Sequence, residues 1–191
     1  MSLISSQGDS LSYGVDYFGF LETVLRDLKG YRTLAHELVQ NADDATGTST
    51  LSFDVRDDDL IVANDGSFAD CGHAQENECS WRSDTSRGRS CDFHRFRQIA
   101  SGGKRVEDDT IGAFGIGFLT VYQITDRPEI VSSGRHWIVE AESQRIAQCR
   151  GCATCTSHGS DNTRFIFPWA RNPESLLRRR LRVEPVTPES P

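Results

Sequence analysis

Glu37 and Asn41 stand four residues apart in the run Glu37-Leu-Val-Gln-Asn41-Ala-Asp-Asp44-Ala45, so on a helix their side chains share a face, with Asp44 one turn further along it. A carboxylate there can take a proton from water, and a neighbouring amide oxygen can ligate Mg²⁺, so the pair can meet a single ligand. An ordinary solvated helix face has the same spacing. Gly112-Ala-Phe-Gly115-Ile-Gly117-Phe118 is a glycine loop opening a helix. Glycines let the backbone approach a phosphate, and the free N–H groups and positive end of the helix complement its charge. Glycine turns before helices also serve plain packing. This loop lacks the Gly-Lys-Ser/Thr ending of a Walker loop, and no first βαβ strand precedes it as a dinucleotide fold requires. Asn64-Asp65-Gly66 directly follows the apolar run Leu60 to Ala63 and by itself is a turn signal.

Cysteine and histidine form a fourth constellation. Cys71, His73, Cys79, Cys91 and His94 crowd one polar stretch, and Cys149, Cys152 and Cys155 follow a C-x-x-C-x-x-C spacing. The first set can supply a tetrahedral Cys₃His or Cys₂His₂ zinc centre. Cys149, Cys152, Cys155 and His158 make another candidate quartet, and ligands can also be pooled between the two clusters. The competing reading is a set of free thiols in polar loops.

These residues need elements to position them. Phe18, Leu21, Val24, Leu25 and Leu28 recur at helical spacing from Tyr17 to Leu28, and Leu34, Leu38 and Val39 do so from Arg32 to Ala45. Leu51 to Val55 and Leu60 to Ala63 read as a hairpin. Ser67 to Thr110 is polar and without sustained periodicity, a long loop or lid. Phe118 to Ile124 reads as a short helix stopped by Asp126-Arg-Pro. Glu129 to Ser132, His136 to Ser143 and Arg164 to Phe167 read as strands, and Leu176 to Leu181 as a short basic helix in a solvated tail. Helices first, strands later and mixed connections predict an α+β fold whose antiparallel-leaning sheet is covered on one face.

Composition narrows the class. The chain has 191 residues, 37% hydrophobic and 26% charged, which suits one globular domain. Its 21 Lys and Arg against 28 Asp and Glu give a net charge of −7, so nucleic acid and anionic membrane are not indicated as partners. The longest apolar stretch, Gly112 to Val121, falls far short of the roughly 20 residues that cross a bilayer. Met1 to Ser10 shows no secretory signal, which makes the cytoplasm the expected compartment.

Taken in order, the motifs resemble the GHKL or Bergerat-fold ATPases, among them gyrase B, the ninety-kilodalton heat-shock chaperones, histidine kinases and MutL. Glu37-x-x-x-Asn41-Ala-x-Asp44-Ala45 is similar to that family's N-box, Asn64-Asp-Gly66 to its adenine-pocket motif, and the Gly112 to Phe118 loop to its phosphate-binding lid motif. The wording is closest to the sacsin-like branch, on Gln40 to Ala45, Gly112 to Phe118 and Val121 to Ile130. The resemblance spans about Tyr17 to Pro168 and implies a two-layer α/β sandwich, with residues 1–16 an N-terminal segment, 17–170 the ATP-binding domain carrying a Cys/His lid insertion at 67–110, and 171–191 a basic tail.

By resemblance Glu37 is the general base and Asn41 the Mg²⁺ ligand, while Asp44 lines the nucleotide pocket. Gly66 sits by the adenine. Gly112, Gly115, Ile116, Gly117 and Phe118 form the loop whose N–H groups meet the phosphates. Ser101-Gly-Gly-Lys104 resembles the start of the mobile lid, with Lys104 adding charge, and Thr163 resembles a late-strand adenine-site threonine. The sequence departs from the family at Asn64, where most members carry Asp, at Asn162, where a glycine is common, and in the Cys and His insertion. The implied activity is slow, Mg²⁺-dependent ATP hydrolysis that closes a lid or drives homodimerisation, in the N-terminal part of a larger chaperone-like protein with further C-terminal domains or clients. The alternatives are a zinc-stabilised nucleotide-binding sensor or interaction module without turnover and a histidine kinase core.

Overall fold

Tyr17, Leu21, Val24 and Leu25 fall on one side of α1 (Tyr17–Asp27) and are buried there. The computed structural model describes residues 16–43, 48–73, 79–83, 90–100, 116–150, 152–156 and 162–186. After α1 the chain turns at Gly30, whose φ of +115° suits glycine. The Gly30 N–H donates to Gln123 Oε1 at 2.7 Å. α2 (Tyr31–Asp43) follows, with Leu34, Leu38, Asn41 and Ala42 buried.

Strands β1 (Leu51–Val55), β2 (Asp59–Asn64), β3 (Glu129–Ser132), β4 (Arg135–Glu140), β5 (Arg145–Arg150) and β6 (Thr163–Pro168) form one sheet in the order β1-β2-β6-β3-β4-β5. Every neighbouring pair is antiparallel. Ser133 and Gly134 join β3 to β4 with φ of 48° and 70°, the two positive angles a tight two-residue hairpin turn requires. Strand residues alternate between faces. Leu60, Val62, Ile130, Trp137, Phe165 and Phe167 share a core with Leu34 and Leu38 of α2, so the helices cover one face in a two-layer α/β sandwich.

Between β2 and β3 the described residues include a 3₁₀ turn (Ser80–Ser83), α3 (Asp92–Ala100) and a 3₁₀ segment (Ile116–Gln123). The stretch read from sequence as a long loop thus contains a core helix. Phe93 and Phe96 of α3 are fully buried and pack edge-on or tilted against Phe68, Trp137 and Phe118, with ring centroids 4.8 to 5.2 Å apart for the three nearest pairs. Two apolar positions make too short a stripe to register as periodicity. The segment after the glycine loop is 3₁₀ rather than α-helical, and Thr120 Oγ1 donates to the Gly117 carbonyl at 2.6 Å within it.

β5 is a further strand beyond those predicted, and α4 (Ala153–Thr156) follows it. The C-terminal helix α5 (Leu176–Leu181) lies where expected but is not solvated. Leu177, Arg178 and Leu181 are buried, and Leu177 and Leu181 pack with Leu21, Leu25, Leu119 and Tyr122. The i, i+4 leucines dock the helix on α1, while Arg179 stays exposed.

Candidate functional site

α2 presents Glu37 and Asn41 one turn apart on its face toward the 3₁₀ segment, and Asn41 is only 7% exposed. The Gly117 backbone lies so close to Glu37 that a methyl group at 117 would overlap the carboxylate. The structure therefore brings the helix carboxylate to the end of the glycine loop. Phe118, one residue on, points into the core and is 2% exposed.

A second corner forms at the end of β2. Asn64 pairs in register with Thr163 of β6, and Thr163 with Ser132 of β3, so the three side chains share the covered face. Asn64 Oδ1 accepts the Gly66 N–H at 3.0 Å, closing an Asx turn that buries Gly66. Thr163 Oγ1 and Ser132 Oγ share a 2.8 Å hydrogen bond, and Ser132 Oγ also accepts the Phe68 N–H at 2.9 Å. Asp65 points the other way. Its carboxylate accepts from the Ser49 hydroxyl, from the Thr50 N–H at 2.9 Å and from the Ser49 N–H at 2.7 Å, bonds that hold it well below the usual carboxylate range.

Cys71, Cys79, Cys91 and His94 place their four ligand atoms within 4.8 Å of one another. Cys91 Sγ is 3.1 Å and Cys71 Sγ 3.6 Å from His94 Nδ1. A zinc tetrahedron with metal–sulfur bonds near 2.3 Å and metal–nitrogen bonds near 2.0 Å has edges of roughly 3.5–3.8 Å, so this Cys₃His set fits the ion. Burial pushes the Cys91 thiol up to about 12. At Cys71 the opposing effect of burial is outweighed by the His73 backbone N–H and the Cys91 and Cys79 thiols, and the group lies below its ordinary value.

The tetrad is wired to the corner at Asn64. Ala69 N–H donates to Asp92 Oδ2 and Asp92 N–H to the Ala69 carbonyl, at 2.8 and 3.0 Å, tying α3 to the chain leading from Gly66 to Cys71. Asp70 takes two hydrogen bonds from Arg135, at 2.7 and 2.9 Å, and Arg135 is 3% exposed. Burying Phe93 and Phe96 contributes about 3–6 kcal/mol to holding α3 on the core.

Of the sequence-derived candidates, Glu37, Asn41 and Gly117 come together, Asn64, Gly66 and Thr163 form the neighbouring corner, and four of the five clustered Cys and His form the tetrad. His73 is exposed and outside the compact set, touching it through its backbone. Asp44, Ser101, Lys104, Gly112 and Gly115 lie outside the described residues, and of Ile116 and Cys155 only the backbone is described. Cys149 and Cys152 are separate from the tetrad. Sequence reading missed Ser132, Asp65 and Arg135, whose parts follow from strand register and not from any local pattern. An apolar groove of about 250 Å³ between α2 and β1, walled by Leu34, Leu38, Phe53 and Trp169, does not include Glu37 or Asn41 and offers little to a phosphate. No described helix is long and apolar enough to cross a membrane.

Human sacsin is 33% identical over 115 residues, which is 59% of this chain and 2% of that protein. Protein NO VEIN of Arabidopsis thaliana is 34% identical over 114 residues, 58% of this chain and 4% of that protein. The chain thus spans a small part of the length of these relatives. The crystal structure of the N-terminal domain of a DNA repair protein overlays 88% of this chain and 44% of that one, at 13% identity and a TM-score of 0.45. The Sacsin domain family matches residues 15–162, a span that holds both α2 and the Cys/His tetrad, and the chain belongs to that family.

Proposed function

We propose that this chain is a Mg²⁺-dependent ATP-binding module of the GHKL type that hydrolyses ATP slowly, stabilised by zinc at Cys71, Cys79, Cys91 and His94. The observation that carries the reading is the contact of the Glu37 carboxylate with the Gly117 backbone. It sets a carboxylate against the last glycine of the Gly112 to Phe118 motif, which supports the general base and phosphate cradle that the family resemblance implies. Asn41, on the same helix face, would hold the Mg²⁺ through its amide oxygen. A bound Mg²⁺ supplies charge neutralisation at the phosphates. Glu37 takes a proton from the attacking water, and Gly117 and Phe118 orient the phosphates through their backbone.

The corner of Asn64, Gly66 and Thr163 suits the adenine. Asn64 already accepts from Gly66, so it offers a neutral amide with one further lone pair. In the longer protein this module would couple nucleotide state in the cytoplasm to homodimerisation or to following domains and clients. Calorimetry of ATP binding tests the reading. Wild type should bind ATP more tightly with Mg²⁺, and Asn41→Ala should remove at least about tenfold of that gain, or 1.4 kcal/mol. Equal Mg²⁺-dependent affinity in the variant would overturn the assignment.

A further inference from the structure

We propose that β1 is a self-association edge, through which two copies of this chain pair β1 with β1 in antiparallel register about Phe53 and join their sheets into one. Among the described strands β1 stands at the end of the sheet, with β2 as its neighbour. The Arg56 N–H donates to the Asp59 carbonyl at 2.9 Å, and Val55 pairs with Leu60 one step further along the ladder. In an antiparallel ladder, pairs that exchange hydrogen bonds alternate with pairs that do not. Ser52 and Asp54 therefore turn their backbone groups toward β2, whereas Leu51, Phe53 and Val55 turn theirs to the free edge. The side chains of these three lie on the helix-covered face, Leu51 against the core and Phe53 and Val55 in the groove beside α2. Phe53 and Val55 nevertheless remain 43% and 72% exposed.

A second copy fits this edge because β1 is complementary to its own reverse. Centred on Phe53, the pairing sets Leu51 opposite Val55 of the second copy, Phe53 opposite Phe53, and Ser52 opposite Asp54. All three outward-turned residues then find backbone partners, and each Asp54 carboxylate meets a hydroxyl. Centring the pair on Asp54 opposes two carboxylates directly, and centring it on Ser52 leaves Val55 beyond the paired strands. Arg56 of the same copy lies 2.7 Å from Asp54, so joining the strands brings together no bare carboxylates. The opposite edge differs in design. β5 carries Arg145 and Arg150 at its two ends, charges that blunt an edge, whereas Leu-Ser-Phe-Asp-Val has no Lys, Arg or Pro. The two-fold axis of an antiparallel pair stands perpendicular to the sheet, so the helices of both copies share one side and their grooves between α2 and β1 adjoin. Tyr31, Val39, Phe53 and Val55, four of the five large apolar side chains left exposed among the described residues, lie on these two elements. Such a concentration marks an interaction face. The groove excludes Glu37 and Asn41, so the pairing does not rest on the nucleotide reading.

Sedimentation equilibrium of the chain without nucleotide tests the proposal. Wild type should form a dimer whose share rises with concentration. Phe53→Asp opposes two carboxylates at the axis and should raise the dissociation constant at least about tenfold. Val55→Lys, at the more exposed position, should weaken the dimer in the same direction, and circular dichroism checks that each variant is folded. A monomer at every concentration, or a dimer that Val55→Lys and a folded Phe53→Asp leave intact, would overturn the pairing. Cross-linking tests the register. Ser52 and Asp54 of the second copy form a non-hydrogen-bonded pair with Cα atoms about 4.5 Å apart, within disulfide reach. A mixture of Ser52→Cys and Asp54→Cys, oxidised with copper phenanthroline and mapped by peptide mass, should give a disulfide between positions 52 and 54 of different copies. A dimer in which this product is absent, or no faster to form than cross-links of either variant alone, would show that the copies meet elsewhere. Because no nucleotide is present, failure here leaves the calorimetric test of ATP binding untouched.

Discussion

The Glu37 carboxylate occupies the space a β-carbon would need at residue 117, so any side chain at Gly117 must displace it. Gly117→Ala must push the carboxylate or the loop aside, an overpacking cost of about 1–3 kcal/mol. At roughly 2–4 °C per kcal/mol for a domain of this size, melting should fall by about 2–12 °C. Adding Glu37→Ala should restore most of the loss. A thermal double-mutant cycle with additive effects would show that the two residues do not press on one another.

Glu37→Ala alone separates binding from chemistry. A general base acts in the transition state, so its loss should slow ATP hydrolysis by about 10²- to 10⁴-fold and leave nucleotide affinity nearly intact. Phosphate release and calorimetry on the same preparation measure both. Equal turnover in wild type and variant would make Glu37 a packing residue and favour a sensor without turnover.

Much of the fold was legible because its elements carry their own patterns. The stripes of α1 and α2, the apolar runs of β2 and β6 and the paired leucines of α5 each fix an element locally. β5 was missed because Arg145-Ile-Ala-Gln-Cys-Arg has one strongly apolar residue and lies at the sheet edge. α3 was missed because its anchoring comes from Phe93, Phe96 and the tetrad residues Cys91 and His94, whose partners lie far away in sequence. In the site, Glu37, Asn41, Asn64 and Gly117 were legible as motif residues. Ser132 was not, since strand register alone brings it to Thr163.

Asp65 makes acid stability sensitive to one exposed carboxylate. Its folded-state value is depressed below the ordinary 3.8 by the Ser49 and Thr50 donors. The stabilisation is therefore present above the unfolded value and lost as pH falls through the folded one. Unfolding midpoints in urea should decline from about pH 4 downward in wild type and decline less steeply in Asp65→Asn, which cannot lose a charge. Identical slopes would show that Asp65 does not anchor the chain entering β1.

Arg178 should be the costliest residue of α5 to remove. It is 2% exposed, and its guanidinium donates to Asp126 at 2.6 Å, to the Gln123 and Thr125 carbonyls at 3.1 Å each, and to the Tyr122 carbonyl. Those carbonyls lie where the 3₁₀ segment ends and lack a next turn to accept from, so one planar fork satisfies several orphan acceptors and a carboxylate. Arg178→Ala leaves them without it, at a cost of about 3–5 kcal/mol, or a melting decrease of roughly 6–20 °C. Arg178→Lys keeps the charge but not the fork and should fall between. Arg179→Ala removes only an exposed 3.9 Å pair with Glu174 and should change stability by less than about 0.5 kcal/mol. Leu177 and Leu181 pack with Leu119 and Tyr122 of the same 3₁₀ segment, so loosening α5 should also loosen the segment that begins beside Gly117. Nucleotide affinity should accordingly fall in Arg178→Lys and not in Arg179→Ala. Equal melting temperatures for the two alanine variants would show that the buried fork does not anchor α5.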